Sequence, residues 1–166
     1  MPEKETIRRA KRDKRQGKSA STQAGEFVRE EIHHVRGGKH GARSTKQAIA
    51  IGLAKARRQG VKLQPPEKGE APASTRRQAK KDLAAGRHPK KSVSRRRSRA
   101  ASTALKHEGH AAASPKALSR QARSSAKKRT ASERSAAAKK AARTKGPAKR
   151  SAAAKKAAKT RARRGH

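Results

Sequence analysis

Cysteine, tryptophan and tyrosine are missing from this chain of 166 residues, and phenylalanine and methionine occur once each. Without cysteine there is no disulfide and no thiolate metal site, which fits a reducing compartment. The near absence of aromatic rings removes the platforms on which single-stranded bases stack. Large aliphatic residues are scarce too, since hydrophobic residues make up 30% and most of them are alanine. Folding must offset roughly 1–2 kcal/mol of chain entropy per residue by burying bulky apolar groups. This composition therefore predicts disorder over most of the chain and at most one miniature domain. No apolar run approaches the ~18 residues of a membrane span, and the opening MPEKE lacks the apolar stretch of a secretory leader. Acidic residues are few: 11 Asp and Glu face 49 Lys and Arg, a net charge of +38. Such a charge repels itself until a polyanion neutralises it, with nucleic acid the first candidate and an anionic lipid surface the second.

One stretch stands apart. Residues 26–63 read EFVREEIHHVRGGKHGARSTKQAIAIGLAKARRQGVKL, and only there do large apolar residues recur at helical spacing. Val28, Ile32 and Val35, with Phe27 beside them, predict a helix over about residues 23–36, N-capped by Ser21 or Thr22. Gly37 and Gly38 stop it. Ser44 with Gln47 three residues on forms a capping box that opens a second helix. Ile49, Gly52, Leu53 and Ala56 form its stripe. Gly52 costs up to about 1 kcal/mol in a helix interior, and a close crossing of the first helix would explain it. Gly60 ends the helix, Val61 supplies the accompanying apolar contact, and Pro65-Pro66 forbids continuation. The expected core is Phe27, Val28, Ile32, Val35, Ile49, Ile51, Leu53, Val61 and Leu63, small enough that a partner or a homodimer would help it settle.

The expected fold is thus mostly disordered with a small all-α element, an α-hairpin built as helix, Gly-rich loop and helix. Residues 1–21 form a basic N-terminal arm with Ile7 undocked, 22–63 the helix–loop–helix module, 64–73 a Pro/Gly linker and 74–166 a basic tail. The tail holds 31 Lys and Arg against Asp82, Glu108 and Glu133. Its large apolar residues Leu83, Val93, Leu105 and Leu118 are too far apart to share a face, and Gly86, Pro89, Gly109, Pro115, Gly146 and Pro147 divide it. A block at 134–145, RSAAAKKAARTK, recurs at 150–161 as RSAAAKKAAKTR. Ala and Lys favour helix while like charges oppose it, so the tail is expected to be disordered alone and to form short transient helices on phosphate.

Lys and Arg neutralise phosphates and release counterions, and this chemistry is not specific to sequence. The candidate nucleic-acid-binding residues are Arg36, Lys39, Arg43, Lys46, Arg57 and Arg58 in the module. In the tail they are Arg95, Arg96, Arg97, Lys127, Lys128, Arg129, Lys139, Lys140, Lys155 and Lys156. The loop 36–43 with the N–H groups of Ser44, Thr45 and Lys46 is either a phosphate cradle or a plain connecting turn. Ser114-Pro115-Lys116 resembles the turn units of linker-histone tails that sit in a minor groove. Glu30 with His33, and Glu31 with His34, pair an acid and an imidazole one turn apart beside His40. A charged helix surface explains these pairs more simply than a metal, so no metal site and no cofactor are expected. No concave core exists to hold a reaction site, and an enzyme is not expected.

The stretch 26–63, above all its run GGKHGARSTKQAIAIGLAKARR, resembles a small domain of unknown function found in short basic bacterial proteins. The resemblance implies a bacterial source and a compact helical unit, and no activity. The tail with its SAAAKKAA blocks is similar in composition to linker-histone C-terminal domains and to the Lys/Ala arms of bacterial nucleoid proteins. The expected function is non-sequence-specific binding of duplex DNA on the nucleoid of a bacterial cytoplasm. RNA or ribosome association, and an adaptor whose hairpin binds a protein while the tail localises it, are the alternatives.

Overall fold

In a computed structural model of the chain, residues 2–87, 94–163 and 165 are described; Pro89 and Val93 lie outside them. There are two compact units, residues 1–121 and 122–166. The expectation of a mostly disordered chain is overturned, because 74% of it is helical. The all-α character holds. In chain order the helices are α1 (Lys4–Arg15), α2 (Ala20–Arg36), α3 (Thr45–Arg58), α4 (Ala73–Ala85), α5 (Arg95–Lys106), a 3-10 turn (Ala111–Ala113), α6 (Pro115–Lys127) and α7 (Ala131–Arg163).

The correction has a physical cause. A count of bulky apolar residues discounts alanine as a core former, yet Ala10, Ala24, Ala42, Ala48, Ala56, Ala79, Ala112 and Ala113 are all buried. Small side chains let helix backbones approach, and close approach regains in dispersion what bulk would have supplied. Alanine also has the highest helix propensity.

The hairpin of α2 and α3 is the centre of the first unit. Its first helix starts three residues earlier than expected, at Ala20, with Ser19 Oγ accepting the Thr22 N–H at 3.4 Å. Beyond Gly37, the Lys39 N–H donates to His34 C=O at 3.0 Å and satisfies the helix end. Ser44 Oγ accepts from Gln47 N–H at 3.2 Å, and Gln47 Oε1 returns to the Arg43 N–H at 2.8 Å, one residue ahead of the cap. At the far end Gly60 takes φ +85, and Val61 N–H reaches Ala56 C=O at 3.1 Å. The inward face of α3 carries Ala48, Gly52 and Ala56, so Ile49 and Ile51, expected in the core, are only half-buried.

Residues 1–21 are not a free arm. Thr6, Ala10 and Asp13 form the buried stripe of α1. Arg9 Nε donates to Glu26 Oε2 at 2.6 Å, tying α1 to α2. Ala10, Ala24, Phe27, Ala56 and Val61 form one core cluster, with Ile7, Leu53 and Leu63 packed against it. A second cluster, Ile32, Val35, Ala42 and Ala48, is closed from outside the hairpin by Ala112 and Ala113, with Val28 and Leu118 against it. On the remaining side α4 buries Ala79 and Asp82. Asp82 Oδ1 accepts from Arg58 Nε at 2.8 Å and from Gln78 Nε2 at 3.2 Å.

Candidate nucleic-acid interface

The second unit, residues 122–166, carries 17 Lys and Arg and a single acid, Glu133. Its helix α7 opens with a full capping box that the expected boundaries do not include. Thr130 Oγ1 accepts from Glu133 N–H at 3.2 Å, and Glu133 Oε2 accepts from Thr130 N–H at 2.7 Å. The Thr130 hydroxyl also donates to Glu133 Oε2 at 3.0 Å, and these backbone and side-chain bonds to the carboxyl, with Arg129 nearby, hold Glu133 below its ordinary value. The T-x-x-E pattern at 130–133 is a signal the sequence carries in full. Midway, Gly146 (φ 67, ψ 167) breaks the helix and Pro147 restarts it.

The two halves of α7 are local copies. Thr144 Oγ1 donates to Lys140 C=O and Thr160 Oγ1 to Lys156 C=O, both at 2.9 Å and sixteen positions apart. At about 100° per residue, Lys139, Lys140 and Arg143 fall within an arc of about 100°. Lys155, Lys156 and Lys159 repeat that arc in the second half. All six are exposed or nearly so along the helix, as are Lys127, Lys128 and Arg129 before it. Each half therefore presents one cationic face that phosphates can reach.

In the first unit the expected cations meet different fates. Arg95, Arg96 and Arg97 are exposed in the first turn of α5, where Ser94 makes no side-chain cap. Cations at a helix N-terminus oppose its dipole, and an anion there relieves both. Arg43 and Lys46 are exposed. Lys39 Nζ pairs with Glu3 Oε1 at 2.8 Å. With His34 Nε2 at 2.9 Å from that same oxygen, the two donors lower the Glu3 carboxyl to about 2. Arg58 is held by Asp82. Arg36 donates from Nε and Nη2 to Ala113 C=O at 3.3 and 3.0 Å. Arg57 is withdrawn from solvent at 7% exposure, and its fork donates to Leu63 C=O at 3.1 Å and Gln64 C=O at 3.2 Å. Burial lowers the Arg57 pKa, with Asp82 pulling the other way. One cationic stripe lies outside the expected set: Lys4, Arg8, Lys11 and Arg15 stand at i, i+4, i+7 and i+11 along α1, all exposed.

The loop after α2 is more than a plain connecting turn. Gly41 N–H donates to Leu105 C=O at 2.8 Å, and Ala42 N–H to Gly109 C=O at 3.0 Å. Thr45 Oγ1 donates to Ala112 C=O at 2.7 Å, in buried surroundings. These three donors dock residues 105–113. Ser114 and Pro115 also have a structural job: Ser114 Oγ accepts the Ala117 N–H at 3.2 Å, and Pro115 opens α6. Proline at the first helical position suits its missing donor and fixed φ, so this Ser-Pro-Lys is a helix start rather than a groove-binding turn.

Residues 4–68 match the model of a family of unknown function (DUF6496). That span holds α1, α2 and α3 and stops short of α4. The match agrees with the resemblance of residues 26–63 to a small domain of unknown function and extends it to include α1. No curated protein and no solved structure matches the chain. Among the described residues, no helix is long and apolar enough to cross a membrane.

Proposed function

We propose that this protein binds nucleic acid without reading its sequence, with duplex DNA as the preferred form, and that it coats the nucleoid of a bacterial cell. The observation that carries this is the pair of exposed cationic faces on α7, in a unit with 17 basic residues and one acid. A helix so charged and so little buried repels itself, and closely spaced phosphates remove the repulsion. Arginines crowded at the α5 N-terminus and the stripe on α1 add anion-seeking surface to the first unit. Alanine and serine between the cations let the backbone come near a duplex, and the lack of aromatic rings disfavours single strands. The likeness of the tail to linker-histone arms belongs to this same reading. The three-helix module is then the part that fixes the chain's architecture, and the tail is the part that holds the polyanion.

The test is a salt titration of duplex binding by the full chain and by a chain ending at Gln121. The full chain should lose affinity steeply with salt, and the shortened chain should bind more weakly with a shallower log–log slope. Equal affinity and slope would sink the assignment. Competition by structured RNA at fixed salt separates a ribosome-associated role from DNA coating.

A further inference from the structure

We propose that Glu31, His34 and His40 form a binding site for a divalent transition-metal ion, with Zn2+ the first candidate. A carboxylate oxygen of Glu31 and one ring nitrogen from each histidine all lie within 4.8 Å of one another. Glu31 and His34 sit one turn apart near the end of α2, and His40 comes from the loop that follows. Zn–N bonds of about 2.0–2.1 Å place tetrahedral donors about 3.3 Å apart, so the side chains would draw together on a bound ion.

Glu31 carries the argument. Its side chain is fully buried. Lys55 Nζ pairs with Oε2, but buried Oε1 accepts no hydrogen bond. His40 Nε2 lies 3.2 Å from Oε1, outside hydrogen-bond geometry. The other ring nitrogen, Nδ1, is 3.0 Å from Gly41 C=O, which only accepts. Nδ1 therefore carries a proton. A buried carboxylate oxygen left unpartnered is rare enough to need a cause, and a cation shared with the two neighbouring imidazoles supplies one. The bond from Nδ1–H to a backbone carbonyl is the outer contact that orients metal-bound histidines.

The surroundings agree. Glu3 Oε1 lies 2.9 Å and Glu30 Oε1 3.9 Å from His34 Nε2. Glu3, Glu30 and Glu31 gather negative charge here, against Lys39 and Lys55, within a chain of net charge +38. Two imidazoles and one carboxylate suit Zn2+, Fe2+, Ni2+ or Cu2+ over Mg2+ and Ca2+, which take oxygen donors. Bound there, the ion would staple the loop at residues 37–43 to α2. That loop holds residues 105–113, so the ion stiffens the seam that closes the second core cluster.

The experiment uses the full chain, stripped with a chelator and titrated with Zn2+ near neutral pH by calorimetry. One equivalent should bind, and Co2+ should give a visible ligand-field band that Zn2+ abolishes. His34→Ala and His40→Ala should each weaken Zn2+ binding by at least about tenfold. His33→Ala, on the exposed neighbour, should leave it unchanged. Circular dichroism confirms that each variant stays helical. Absence of one-to-one binding, or an equal loss in His33→Ala, overturns the site. If the other variants do not fold, the Co2+ spectrum of the unaltered chain decides, and a spectrum of the hydrated ion alone also overturns it.

Discussion

A β-carbon on Gly52 would fall 2.6 Å from Val28 Cα, so α2 and α3 cross with their backbones in contact. Gly52→Ala tests this with an unusual sign. In an open helix the change stabilises by about 0.8–1.0 kcal/mol. Here the added methyl forces the crossing apart, and overpacking costs about 1–3 kcal/mol. Denaturant unfolding should show a net loss of up to about 2 kcal/mol at unchanged m. A gain in stability would mean that the helices do not touch at this point.

The seam between the hairpin and residues 105–113 makes a second prediction. Ala113 is 1% exposed among Ile32, Val35, Ala42 and Ala48. Ala113→Leu has no room and should destabilise by about 1–3 kcal/mol. Hydrogen exchange should quicken first at the Gly41 and Ala42 amides, whose acceptors are Leu105 and Gly109. Protection of α1 should persist. Uniform loss across the chain would contradict a local seam.

Much of the hairpin is legible in the sequence because its signals are local. Ser44 with Gln47, the Gly37-Gly38 stop and Gly60 are written within a few residues of where they act. The crossing at Gly52 is legible because a helix-interior glycine needs a reason. The docking of α1 is not, since its buried stripe is Thr6, Ala10 and Asp13, and a count of large apolar residues misses it. The closing of the hairpin by Ala112 and Ala113 is hidden by sequence distance and by the same undervaluing of alanine. Arg57 and Arg43 look alike on paper, and only tertiary packing buries one and exposes the other. Glu31, His34 and His40 show their spacing in the sequence. The loop path that brings His40 back to α2 cannot be read there.

Acid should loosen the start of α7. The Glu133 carboxyl is held below its ordinary value of 4.5 by the two bonds from Thr130, backbone first. A depressed folded-state pKa contributes stability that is present above 4.5 and lost as pH falls through the lower folded value. Protection of the Glu133 and Arg134 amides, taken relative to their intrinsic exchange rates, should therefore fall below pH 4.5. Glu133→Gln, which keeps an oxygen acceptor without the charge, should flatten that dependence. The same acid sensitivity in the variant would remove the capping carboxylate from the explanation.

On the proposed DNA reading, cations on α7 act independently and additively. Replacing Lys139, Lys140, Lys155 and Lys156 together by Ala should reduce the magnitude of the log–log salt slope by about 3–4, since each phosphate no longer neutralised removes roughly 0.9. Helicity should hold or rise, because alanine is the better helix former and like-charge repulsion falls. An unchanged slope with weaker binding would point to interactions other than those with phosphate.

Arg57 separates the architectural cations from the binding ones. Its guanidinium is buried and bonded to Leu63 C=O and Gln64 C=O, so it fastens the extended segment that leaves α3. Arg57→Ala leaves both carbonyls short of their donor, and hydrogen bonds from a charged group are worth roughly 1.5–3 kcal/mol. A loss of that size should appear in unfolding experiments. Arg57→Lys keeps the charge but not the planar fork, so it should recover little. The salt slope of duplex binding should stay where it was for both variants, measured where they remain folded. A slope smaller by roughly 0.9, with stability intact, would return Arg57 to the phosphate-binding surface.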